Sequence, residues 1–166
     1  EAQGVRFRSN GDTEVLLELY AREGPAMLPR LNGMFAIAIW DSQQRTLFVA
    51  RDRLGVKPVY YARRPDALLF ASEEKALFAA GVPARFDAAV WPELLRFNYV
   101  AGERTPFVGI SRLLPGHYMV WKGGDIQIHR WWNLAERVAA LRGKAPPADL
   151  PAWFRETFDS AVNLRR

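Results

Sequence analysis

Residues 31–61, LNGMFAIAIWDSQQRTLFVARDRLGVKPVYY, hold two apolar runs separated by a polar turn, and they limit the folds open to the chain more than any other stretch. In residues 34–40 one alternate set is Phe35, Ile37 and Ile39, and the other is Met34, Ala36, Ala38 and Trp40. Side chains of a strand point alternately to its two faces, so both faces here are apolar. A strand with one wet face would alternate with polar residues, so the pattern predicts a hairpin covered on both sides. Residues 41–45 (DSQQR) carry turn chemistry, and residues 46–50 form the second apolar run. Gly55 permits a positive φ and Pro58 cannot donate to a ladder, so residues 51–58 break the pattern before a third strand over 59–62.

Around this stretch, residues 5–8 are a candidate strand and 9–11 a turn. A helix follows, with Asp12 or Thr13 as its cap, Leu16, Leu19 and Tyr20 at helical spacing, and Gly24-Pro25 as its stop. Residues 64–67 turn the third strand back into a fourth over 68–71, which predicts a four-stranded antiparallel meander. Ser72 is placed to cap a short helix over 73–80 that turns Ala76, Leu77 and Ala80 to the sheet. Asp87 caps another helix through Phe97, with Pro92 at its first turn or at a kink, and residues 98–112 read as loop. A second hairpin spans 118–131 around Gly123-Gly124, whose residues suit the positive φ of a tight turn. Residues 143–151, rich in proline, read as a linker. Beyond it, Trp153, Phe154, Phe158, Ala161 and Val162 form an apolar helix face with nothing in residues 1–142 assigned to bury it.

Composition removes several classes of function. With 166 residues, 49% of them hydrophobic, the chain can fill one core. Its net charge of +5 comes from scattered Lys and Arg, with doublets only at Arg63-Arg64 and Arg165-Arg166, so no basic face for nucleic acid emerges. There is no cysteine, which excludes disulfides and thiolate metal sites. No apolar run nears the roughly 20 residues of a membrane helix, and no signal-peptide pattern opens the chain. The expectation is a cytoplasmic protein without membrane or nucleic-acid partners. Because the sequence starts at Glu1 without Met and stops at Arg166 within a helical pattern, both ends read as cut.

Leu31-Asn32-Gly33-Met34-Phe35-Ala36 with Ile39-Trp40-Asp41, then Ala50-Arg51-Asp52-Arg53-Leu54-Gly55-Val56-Lys57-Pro58-Val59-Tyr60-Tyr61, then Phe70-Ala71-Ser72-Glu73 with Lys75-Ala76-Leu77, form an ordered set. Together with Asp12-Thr13-Glu14-Val15 upstream, and Leu114-Pro115-Gly116-His117 and Arg130-Trp131-Trp132 downstream, this set resembles the class II glutamine amidotransferase domain of the glutamine-hydrolysing asparagine synthetases. The resemblance implies an α+β fold, an Ntn-hydrolase-type α/β/β/α sandwich of antiparallel sheets, here incomplete. It implies residues 1–142 as the later part of that domain and 152–166 as the first helix of a missing synthetase domain. Glutamine would be the substrate, a homodimer a further partner, and ATP and Mg²⁺ would be used in the missing domain, with no cofactor in this chain. The runner-up in the family is a relative that amidates a different carboxylate. Outside it, the alternative is a non-catalytic interaction module.

Read from the residues alone, Asp12 is a helix cap. The resemblance implies instead that Asp12 binds the α-ammonium of glutamine, with Gly11 leaving room for close approach, and the two roles are compatible because a carboxylate has lone pairs for both. The family's nucleophile is an amino-terminal cysteine, so this chain is expected to hold no catalytic residue and no glutaminase activity alone. Arg51-Asp52-Arg53 reads as an ion-pair network holding a turn, and Lys57 as scaffold. His117 and His129 stand apart from any partner at ligand spacing and read as packed or solvent-tipped, so no metal site is expected. Glu73 and Glu74 open a helix, where acids are favoured by its dipole. Gly123-Gly124 is a hairpin and no phosphate loop occurs.

Overall fold

Alternation along the second strand explains how the layers stack. In the computed structural model, which describes residues 7–9, 11–143 and 145–164, β1 (Ala36–Asp41) and β2 (Thr46–Arg51) pair as an antiparallel hairpin. Phe48 and Ala50 of β2 face one way, onto Met27, Leu28 and the Leu16, Leu19 and Tyr20 stripe of α1 (Asp12–Glu23). Val49 faces the other way, onto Val59, Tyr61, Leu113 and Met119. β2 is thus buried on both faces, as its two-sided apolar pattern requires. α1 stops at Gly24, whose φ of 55° only glycine adopts freely, and a 3₁₀ helix (Gly24–Arg30) follows with Met27 and Leu28 fully buried.

The strand order departs from a meander. β1 and β2 join β6 (His117–Lys122) and β7 (Asp125–Arg130) in a four-stranded sheet ordered β1-β2-β6-β7. β3 (Tyr60–Arg63) and β4 (Leu68–Ala71) instead form a second sheet with β5 (Ser111–Arg112), ordered β4-β3-β5. Residues 52–59 therefore cross from one sheet to the other, because Asp52 and Gly55 turn the backbone before Pro58. β5 also shortens the expected loop over 98–112. Between the sheets lies the Val49, Val59, Tyr61, Leu113 and Met119 core, and the second sheet's far face packs on α2 (Glu74–Ala79) through Ala62, Leu77, Val82 and Ile110. Helix, sheet, sheet and helix follow in that order, the α+β sandwich expected.

Three local expectations are corrected. β1 is an edge strand, so only its Ile37 and Ile39 face is covered, while Ala36, Ala38 and Trp40 stay exposed, Trp40 at 53%. Ser72 does not cap α2: Glu73 holds that position without a side-chain cap bond, and the buried side is Leu77 with Phe78, whereas Ala76 and Ala80 are exposed. Of the strand expected over 5–8, Val5 and Arg6 lie outside the described residues, and Phe7 and Arg8 are not in a strand.

Asp87 does cap the next turn, accepting from Ala89 N at 3.0 Å, ahead of α3 (Trp91–Phe97) with Pro92 in its first turn. Gly123 and Gly124, at φ 58° and 90°, close the β6–β7 turn. The chain divides into two compact units, residues 1–133 and 134–166. The second unit holds α4 (Leu134–Ala139) and α5 (Leu150–Asn163), the latter capped by Asp149, which accepts from Ala152 N at 2.9 Å. Trp153, Phe154 and Phe158 of α5 are exposed.

Candidate functional site

At the start of α1 the cap is Gly11, in extended conformation (φ −85°, ψ 146°), and Asp12 is the first helical residue. Asp12 therefore does not cap the helix. Its exposed carboxylate sits beside the unsatisfied N–H groups of the first turn, where negative charge is favoured. Among the described residues, a methyl at Gly11 would meet only Ser9 Oγ, at 3.7 Å, an ordinary contact distance. Asp12 and Gly11 are adjacent and accessible, which is what an ammonium-binding pair requires.

The residue that shapes this corner is Glu14. Its Oε1 accepts from Arg8 N at 2.8 Å, and its Oε2 accepts from Ser9 N at 2.8 Å and Ser9 Oγ at 2.7 Å. Gly11 N in turn donates to Ser9 Oγ at 3.4 Å. The Ser9 hydroxyl, then the Arg8 N–H, hold the Glu14 carboxyl below the usual range. Reading the residues for a cap singled out Asp12 and Thr13 and missed Glu14. The available signal was an acid at the third helical position, from which a side chain can reach back to the backbone ahead of the helix.

Arg51, Asp52 and Arg53 do not form the ion-pair network expected; they hold backbone. The Arg51 guanidinium donates to the carbonyls of Lys57 (2.7 Å), Gly55 (2.6 Å) and Leu113 (2.6 Å). Asp52 accepts from the N–H groups of Leu54 (3.1 Å), Val56 (3.0 Å) and Lys57 (3.0 Å). Arg53 donates to Leu31 O and Pro29 O and lies over the Trp131 ring. Burial pushes the Arg51 guanidinium down from its ordinary value, with nearby Arg112 adding to the effect. A buried cation with each of its three nitrogens bonded to a backbone carbonyl is a structural clamp.

Elsewhere, an open groove of about 180 Å³ separates the edges of the two sheets, lined by Ala36, Ala38, Val59, Phe70, Ala71 and Ser72 among others. On the far face of the second sheet, Glu74 Oε1 is sealed without a hydrogen-bond partner. Burial raises the Glu74 carboxyl, and the Thr105 hydroxyl and the Arg112 guanidinium lower it by less. His117 Nδ1 lies 2.8 Å from Pro115 O, and His129 stacks on Tyr118. Among the described residues no group of three or more His, Cys, Asp or Glu could hold a metal ion, and no helix is long and apolar enough to cross a membrane.

Residues 1–132 match the family described as glutamine amidotransferase domain. The chain is 38% identical over 138 residues to the glutamine-hydrolysing asparagine synthetase 3 of Bacillus subtilis strain 168, covering 80% of this chain and 22% of that protein. It is 32% identical over 170 residues to asparagine synthetase 2 of the same strain, covering 95% of this chain and again 22% of the relative. The fold is similar to that of the B. subtilis glutamine phosphoribosylpyrophosphate amidotransferase solved with ADP and GMP, with a TM-score of 0.55 and 23% identity over 78% of this chain and 24% of that one. The chain thus spans about a fifth of the length of the curated relatives it matches.

Proposed function

This chain belongs to the glutamine amidotransferase domain family, and on that premise we propose that it serves a glutamine-dependent asparagine synthetase, in the half that hydrolyses glutamine and delivers ammonia for the amidation of aspartate. The observation that carries the reading is the match over residues 1–132 to that family, on a two-sheet sandwich whose α1 begins with an exposed Gly11-Asp12 pair. Asp12 pairs with the α-ammonium of glutamine, which a carboxylate does through charge-assisted hydrogen bonds. Gly11 keeps the approach open.

The thiol nucleophile of such a reaction comes from outside these 166 residues, which contain no cysteine. ATP and Mg²⁺ belong to the amidation half: this chain offers neither a phosphate loop nor, among the described residues, a cluster of metal-ligating side chains, so no step is assigned to them here. The segment from residue 143 to the Asp149 cap acts as a linker, and α5 opens the synthetase part, which covers Trp153, Phe154 and Phe158. The exposure of those three side chains supports this assignment, since burying each is worth roughly 1.5 to 3 kcal/mol. A cytoplasmic setting and pairing of two copies belong to the same proposal.

The test is made on the full-length protein supplied with glutamine, aspartate and ATP, following ammonia and asparagine. Asparagine should form at the expense of glutamine, and Asp12→Asn should raise the glutamine KM by about tenfold or more. Because Gly11 is the cap, the Asn variant should melt as the parent does. A protein that releases no ammonia from glutamine would overturn the reading. These 166 residues alone should release none above a blank.

A further inference from the structure

We propose that Glu14 is a positioning residue for the ammonium-binding pair, fastening the backbone ahead of α1 so that Gly11 and Asp12 meet glutamine in one fixed geometry. The inference rests on the reading of Asp12 given above. It starts from the cap. Gly11 has no side chain with which to satisfy the first turn, and glycine has the widest choice of φ and ψ of any residue. A substrate contact built on such a residue needs support from elsewhere, because recognition tolerates errors of only about 0.5 Å.

Glu14 supplies that support from inside the helix. It lies on the first turn of α1, and its two oxygens collect the N–H groups of Arg8 and Ser9 and the Ser9 hydroxyl. Ser9 Oγ passes the restraint on, accepting from Gly11 N. One carboxylate thereby anchors the backbone on the far side of Gly11 to the helix that carries Asp12. The clamp is at the surface, and neither Glu14 nor Ser9 belongs to the apolar clusters that hold the sandwich together. Geometry at Gly11 and Asp12 is therefore what it governs. Because its hydrogen bonds favour the ionised form, Glu14 holds this clamp as a carboxylate at neutral pH.

The test compares Glu14→Ala, Glu14→Gln and Ser9→Ala with Asp12→Asn in the full-length protein, reading KM and kcat for glutamine. Glu14→Ala should raise KM about tenfold while kcat falls by less than about threefold, the signature of lost substrate positioning. Glu14→Gln should fall between Ala and the parent, since an amide oxygen still accepts while its NH₂ cannot. Ser9→Ala removes the link to Gly11 and leaves the bonds from Glu14 to backbone, so KM should rise only about twofold to threefold. If Glu14→Ala fails to fold, the Gln and Ser9 variants carry the same reading. A normal KM in the Glu14 variants beside a raised KM in Asp12→Asn overturns this inference and leaves the functional reading standing. Loss of kcat and melting temperature with KM unchanged makes Glu14 structural only. An unchanged KM in Asp12→Asn sinks the ammonium site itself.

Discussion

Two carboxylates in this protein perform the same local act in opposite surroundings. Asp52 collects the backbone N–H groups of Leu54, Val56 and Lys57 where the chain crosses between the sheets, and it is 2% exposed. Glu14 collects those of Arg8 and Ser9 at the start of α1, with water around it. The Asp52 side chain itself is buried and its three bonds are half-buried, so removing it empties a site inside the crossing and strips three charge-assisted bonds from the turn. Around Glu14 solvent replaces the lost bond at little cost, and only the shape of the loop changes. The same geometry therefore secures the fold in one place and, on the proposal above, positions a substrate contact in the other.

The largest expected effect separates the two directly. Asp52→Ala removes a buried carboxylate and its three half-buried bonds to the turn, and should cost about 3 to 5 kcal/mol in a denaturant titration of the protein. A loss below about 1 kcal/mol would break the contrast, because it would mean that water reaches the crossing. Glu14→Ala should leave the denaturation midpoint close to the parent's. Next in size is Gly55→Ala, at a φ of 68°, where a new Cβ would lie 2.6 Å from Pro115 Cγ and 2.9 Å from Arg51 Cζ. Backbone strain and overpacking add, and about 2 to 4 kcal/mol should be lost in the same assay.

Titration sharpens the comparison further, with Glu74 as a half-buried acid. Burial raises its folded-state value above the ordinary 4.5, so the folded protein binds the proton more tightly than the unfolded chain does. Stability from this group is present at low pH and declines as pH rises beyond that ordinary value. Glu74→Gln should thus melt higher than the parent at pH 7, with the gap closing as pH falls toward 4.5. For Glu14 the sign reverses: its lowered value makes its contribution present above the ordinary 4.5 and lost as pH falls through the folded value. Glu14→Gln should show the smallest change of the series, confined to that acid range. Thermal melts across pH for the two Gln variants check both signs at once.

How much of this could be read from the residues alone depends on the range of the interactions involved. The hairpin of the two apolar runs, the stop at Gly24 and the Gly123-Gly124 turn are consequences of backbone sterics and side-chain period, which act over a few residues, and each stands in the fold as expected. The ordered motif from Leu31 to Leu77 is enough to reach the family and the sandwich. Strand partners were a different matter. Residues 52–59 read as a turn within one sheet but cross between two, because what decides is whether β2 finds β6, some seventy residues later. The same distance hid the edge position of β1, where an apolar face met no covering sheet. Caps were lost for a related reason: Asp12, Ser72 and Glu14 are all chemically able to hold a helix end, and only the path of the backbone ahead of each helix determines which N–H lies within reach of which oxygen. Local chemistry thus set the elements and the candidate residues, while pairing, edges and the clamp on Gly11 waited on contacts that exist only once the chain has closed on itself.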